Sequence, residues 1–269
     1  MDLRTQLRYQ ACISTPPLWE DSGVSPFDQI NLSRFPSPVD DAVVFKNHRL
    51  GKVVEEFIFH QLKSQAGIGW IEDNLQIQKE KRTIGEIDAL YRDGQIPVHL
   101  EVAYKFYLLD SVEDHAEPLA RWIGPNRKDN LFYKLRKLHD RQFPLLHNPL
   151  TRPYLDGLDL EPASIVQRHC FKGQLFLPYH QQDVDVGPLN RDCVAGYYFP
   201  YREMSFFREF EFHLPDKLDW LVTPHDDVAW ITHATALKTI GELIQNERSP
   251  MAWMKANDGT LSKCFIVFW

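Results

Sequence analysis

The sequence predicts a mixed α/β protein, on three observations. Residues 43–65 place Leu50, Val53, Val54, Phe57, Ile58 and Leu62 at helical spacing. Residues 74–108 break into runs of strand character, the last two separated by Asp93-Gly94, a hairpin signal. A basic stretch at about 126–141 then restores the helical period. The first half therefore reads helix–strand–strand–strand–helix, and the second half adds further strands and one helix.

Taken in order, residues 3–13 form a short helix closed by Thr15-Pro16-Pro17, because proline cannot continue one. Segment 15–41 is rich in Pro, Ser and Asp and reads as loop and short turns over the surface. The helix over 43–65 stops at Gly67 and Gly69, and strands follow at 74–78, 86–92 and 96–108. Acidic residues 110–117 lead to the helix at about 126–141, with Asn126 as its expected N-cap. Pro144, Pro149 and Pro153 mark a linker or an irregular crossing. Strands are expected at 170–179 and 193–201, and a helix at 228–247. A closing hairpin turns at Asn257-Asp258-Gly259. The aromatic run from Tyr197 to Phe212 is of a density that belongs to a core.

Composition narrows the function classes. The 269 residues are enough for a core that needs no disulfide, and Cys12, Cys170, Cys193 and Cys264 lack the spacing of a zinc site or a disulfide framework. The polar N-terminus lacks the apolar run of a signal peptide, and no stretch reaches the ~18 apolar residues of a membrane span. A cytoplasmic protein without a membrane partner is expected. The net charge of −7 argues against a protein that coats nucleic acid, but residues 121–141 gather seven Lys/Arg against two Asp. A basic strip on an acidic body suits docking on phosphates at one face, and equally suits a solvated helix face. The eleven histidines lack ligand spacing, and no Walker-type loop, dinucleotide fingerprint or serine-nucleophile elbow is present.

The residues that carry chemistry lie on the central hairpin. Asp88 and Glu101 have twelve residues between them, and an antiparallel pair of that length brings both carboxylates to one end of one face. A hard divalent cation takes such oxygen ligands and retains waters. It lowers the pKa of one water and offsets charge at a phosphoryl centre. Strand alternation puts Glu101, Ala103 and Lys105 on one face, and Glu86 with Asp88. Glu86 reads either as a further ligand or as a structural residue at the turn after Gly85, and is left out of the expected ligand set. At ~100° per residue, Glu55 borders the apolar stripe of its helix while Glu56 sits mid-way round the polar face. Glu55 is therefore the expected third acid. Arg127, Lys128 and Lys134 are expected to bind substrate.

GEIDALYRDGQIPVHLEVAYK resembles the GEID–hairpin–EVK signature of YraN-type proteins in the PD-(D/E)XK phosphodiesterase superfamily, and LGKVVEE resembles their upstream helix. Nearly the whole chain is similar to the domain of unknown function 1853 family. That similarity rests on LRYQACISTPPL, RLGKVVE, HLEVAYKFYL, WIGPNRKDNLFYKLRKLHDRQFPL, FKGQLFLP and the closing FIVFW. The resemblance implies a three-layer α/β/α restriction-endonuclease-like core, with Asp88, Glu101 and Glu55 as metal ligands. The superfamily's lysine falls two residues after the second acid, where this chain has Ala103. Lys105, ~6–7 Å further along the same face, is assigned its place.

The expected organisation is an N-terminal helix and wrapping segment at 1–42, a nuclease-like core at 43–150 and a β-rich addition at 155–269. The expected activity is Mg2+- or Mn2+-dependent hydrolysis of nucleic-acid phosphodiesters, DNA before RNA, with Asp88, Glu101, Glu55 and Lys105 at the centre. A homodimer is compatible with the sequence. The alternative is a nuclease-like fold that binds or scaffolds without cutting, which Ala103 and the acidic charge favour.

Overall fold

The structure is a computed structural model, and it describes residues 2–20, 23–30, 32–39 and 45–269. Helices are α1 Leu3–Ser14, α2 Leu50–Lys63, α3 Leu131–Lys137, α4 Arg152–Gly157 and α5 His233–Ile244. Strands are β1 Asp28–Gln29, β2 Ile68–Lys79, β3 Arg82–Asp93, β4 Ile96–Leu109, β5 Trp122–Ile123, β6 Val166–Pro178 and β7 Val194–Pro200. They continue with β8 Glu211–His213, β9 Ile231–Thr232, β10 Met251–Lys255 and β11 Leu261–Val267. Among the described residues these strands form one mixed sheet, ordered β2-β3-β4-β6-β7-β11-β10-β8-β9, with β1 on β6 and β5 on β4. The sheet passes without a break through the boundary expected near 150–155, because β4 and β6 pair in parallel from Val98↔Val166 to Leu108↔Phe176.

Local chemistry sets the elements. Asp2 caps α1 by accepting the Thr5 N–H at 2.9 Å, and the prolines end the helix as expected. α2 begins at Leu50, later than the expected 43; residues 43 and 44 lie outside the described residues, and 45–49 are not helical. Its buried stripe is Val53, Val54, Phe57, Ile58 and Leu62. Gly94, at φ 60°, turns the β3–β4 hairpin in the left-handed region where glycine is free of penalty. β4 is buried over nearly all its length, as an interior strand must be.

The sheet carries helices on both faces. α1 and α2 pack with Val98, Leu100, Val102, Tyr104 and Phe106 of β4 in one apolar cluster. Ala103, Tyr107 and Leu109, on the other side of the same strand, cluster with Leu131 and Leu135 of α3 and with Leu138 and Phe143 just beyond it. The chain outside this region packs Phe199, Phe207 and Phe212 with Ala236 and Ile240 of α5 in a third cluster.

The expected helix at 126–141 starts later. Arg127 adopts φ 54°, and Asn126 accepts the Ser249 N–H instead of capping a helix. The cap is Asn130, whose side chain accepts the Tyr133 N–H at 2.9 Å. The helical path continues past α3 as a π turn over Leu138–Gln142 and a 3-10 turn over Phe143–His147. No described helix is long and apolar enough to cross a membrane.

Candidate metal centre

The β3–β4 ladder stops where the acids begin. Its pairs run from Asp93↔Ile96 to Ala89↔Leu100, so the next step would set Asp88 against Glu101. Main-chain pairing is replaced there by a side chain: Asp88 Oδ2 accepts the Val102 N–H at 2.8 Å. The strands part at this point, and carboxylates fill the opening.

Three of them come together. Carboxylate oxygens of Glu55, Glu86 and Asp88 all lie within 4.8 Å of one another. Glu55 reaches in from α2 as its place beside the apolar stripe predicts, whereas Glu56 turns away and accepts Asn47 Nδ2 at 2.8 Å. Glu86, left out of the expected ligand set, belongs to the cluster. Strand parity with Asp88 was the available signal, and its exposed partner strand concealed the convergence. Glu101 stands beside Asp88 but outside the group of three.

Glu101 is held from both sides. Its Oε1 lies 2.9 Å from His99 Nε2, and its Oε2 accepts from the Gln142 amide. Gln167 Nε2 lies 3.0 Å from His99 Nδ1 and 2.7 Å from the Phe143 carbonyl oxygen. With the Gln167 amide donating to Nδ1, the His99 proton is on Nε2 and is donated to Glu101. Burial pushes His99 down to about 4, which keeps the ring neutral near pH 7.

The lysine arrangement departs from expectation. Lys105 does share its face with Ala103, but its Nζ lies 2.8 Å from Asp129. Ala103 itself is buried in the cluster that holds Leu131 and Leu135 of α3. Lys134 of α3 takes up the opposite position. Its Nζ donates to Gln142 Oε1 at 3.1 Å, and its charge acts on Glu101 and Asp88. Burial depresses its pKa, and those two acids oppose the depression. Lys134 lies three residues after Leu131 and four before Leu138, so its position on the buried stripe was readable from the spacing.

The two other residues expected to bind substrate part company. Arg127 pairs with Asp110 at 2.7 Å and Glu113 at 2.6 Å beneath the Trp269 ring, while Lys128 is exposed. Neither residue sits at a helix start, since α3 begins at Leu131.

Electrostatics set the centre apart. Burial pushes Glu55 up to about 7, Asp88's charge adds to this, and Lys52 opposes it. Burial and the charge of Glu101 likewise raise Asp88 to about 7. Burial raises Glu101 to about 8 against the pull of Lys134. Three crowded acids that share a single lysine, Lys52, and offer oxygen donors only fit a hard divalent cation, which favours the ionised form of every carboxylate it touches.

Over residues 32–267 the chain matches the model of a family described as a domain of unknown function (DUF1853). No curated protein and no solved structure matches it.

Proposed function

The chain belongs to the DUF1853 family, and from that premise we propose that it is a divalent-metal-dependent phosphodiesterase acting on nucleic acid, built on a restriction-endonuclease-like core. The convergence of Glu55, Glu86 and Asp88 within 4.8 Å at the parting of β3 and β4 is the observation that carries this reading. Helices on both faces of the sheet support the core assignment.

Glu55, Glu86 and Asp88 would hold Mg2+ or Mn2+, with Glu101 next to them. When bound, the ion supplies positive charge to the phosphoryl centre and an acidified water. The chain's own residues do the remaining work. His99 and Gln142 fix the Glu101 carboxylate, and each of its oxygens keeps a second lone pair. Lys134 brings a partly desolvated ammonium to the same acids, where it can hold a phosphate oxygen as charge develops. Lys134 thus takes the role that the sequence assigned to Lys105. Exposed Lys128, Arg136 and Lys137 provide cations for the flanking backbone.

The test is a Mg2+- and Mn2+-supplemented cleavage assay over single-stranded, duplex and branched DNA and RNA. Asp88→Asn, Glu101→Gln and Lys134→Met should each lower turnover by roughly two orders of magnitude or more, and Lys105→Ala should leave it within about threefold. Cleavage unaffected by Asp88→Asn and Glu101→Gln would remove the assignment. Metal-independent binding without cleavage would favour a scaffold that keeps the fold.

A further inference from the structure

One cation already sits at this cluster. Lys52, one turn before Glu55 on α2, donates from Nζ to Glu55 Oε2 at 2.6 Å, to Asn74 Oδ1 at 2.7 Å and to Glu86 Oε1. The ammonium therefore lies in a cage of three oxygens. Two of its acids also belong to the group of three described above. The third member of the cage is set by the backbone. Asn74 has φ 53°, a left-handed conformation that asparagine adopts far more readily than most residues. It falls between the pairs Asp73↔Ala89 and Leu75↔Ile87, opposite Asp88 in the β2–β3 ladder.

An ammonium and a hard divalent cation ask for the same partners, several oxygens at short range, and both cannot hold Glu55 and Glu86 through the same lone pairs. Room exists for one to leave. A cavity of about 310 Å³ adjoins the cage, lined among others by Lys52, Asn47, Glu56 and Asp73. The Lys52 side chain is 36% exposed, so its head can swing out without breaking the core.

We propose that Lys52 is a resident counter-ion of the centre, and that a divalent metal binds by displacing its ammonium into the adjoining cavity. Lys52 neutralises the acids while the metal is absent, and it sets the concentration at which metal can enter. This inference rests on the metal-centre reading and adds a built-in competitor that regulates it.

The test is calorimetric titration of the full chain with MgCl2 and with MnCl2, using wild type, Lys52→Met, Lys63→Met and Asp88→Asn. Lys52→Met should bind metal about tenfold more tightly, which is ~1.4 kcal/mol. Lys63→Met, on the same helix but paired with Asp73 at 3.3 Å, should stay within about twofold of wild type because its charge is exposed and screened. A Lys52→Met affinity equal to or weaker than wild type overturns the competition and leaves the metal centre standing. Wild type that binds no metal, or Asp88→Asn that binds as well as wild type, overturns both. Should Lys52→Met fail to fold, lysine-selective NMR of wild type decides. The Lys52 side-chain signal should shift on saturation with Mg2+, and an unmoved signal overturns the displacement.

Discussion

At the scale of single residues, the centre is a cluster of acids whose burial works against their charge. Glu55 and Asp88 are raised to about 7 and Glu101 to about 8, burial being the first cause in each. Their folded-state values exceed their unfolded ones, so the native protein holds more protons than the unfolded chain across the interval between. Stability then falls as pH rises through that interval. Buried His99 and His169, both pushed down to about 4, act in the opposite sense only below the ordinary histidine value of 6.5. Buried Lys263, pushed down to about 7 from 10.5, also acts in the opposite sense from about pH 7 upward, so the acids dominate between pH 6.5 and about 7.5. Thermal unfolding in EDTA should therefore show a falling midpoint over that range, and saturating Mg2+ should flatten it by favouring the ionised carboxylates. Asp88→Asn and Glu101→Gln should flatten the EDTA curve without metal. A wild-type midpoint that rises from pH 6.5 to about 7.5 in EDTA would contradict the raised carboxyls of Glu55, Asp88 and Glu101.

At the scale of elements, the parity of β4 was readable because period two is enforced by the pleat. Glu101, Ala103 and Lys105 do share a face, and the Asp-Gly turn does close the hairpin. Where Lys105 ends was not readable, since periodicity fixes a Cβ and leaves a long side chain free to find Asp129. Nor was the start of α3, because the left-handed Arg127 and the contact of Asn126 with Ser249 depend on distant segments. The strand order joining β4 to β6 is equally a long-range outcome. The glycine of the GEID motif has an element-level reason that sequence alone did not supply. A Cβ on Gly85 would come within 2.6 Å of Leu145 Cδ2, on the 3-10 turn directly after Gln142. Gly85→Val should cost about 1–3 kcal/mol through overpacking and, by pushing that turn outward, loosen Gln142 from Glu101. Denaturant unfolding checks the first effect, and a loss of turnover larger than Gly85→Ala produces checks the second. Wild-type stability and turnover in Gly85→Val would show that the close approach positions nothing.

At the scale of the whole molecule, part of the basic strip faces inward. Arg127 ties the segment after β4 to the chain's end, pairing with fully buried Asp110 while its guanidinium lies 4.6 Å from the Trp269 ring. Trp269 in turn donates from Nε1 to the Pro125 carbonyl at 3.0 Å. Burial opposes ionisation of Asp110, but Arg127 and His115 hold its carboxyl below the usual range. Arg127→Ala should thus destabilise the fold by about 2–3 kcal/mol in denaturant titration, since it leaves a buried carboxylate with hydrogen bonds but without its cation. A loss below about 1 kcal/mol would mean that His115 and the Val112 and Glu113 N–H groups satisfy Asp110 without Arg127. The large mixed sheet and these ties frame one site, the acids gathered where the β3–β4 ladder stops. Where a metal ion settles tests this most directly, and anomalous scattering from Mn2+-soaked crystals measures it. A peak about 2.2 Å from oxygens of Glu55, Glu86 and Asp88, with Lys134 facing the same space, is the predicted result. An ion bound elsewhere while these carboxylates stay empty would contradict it.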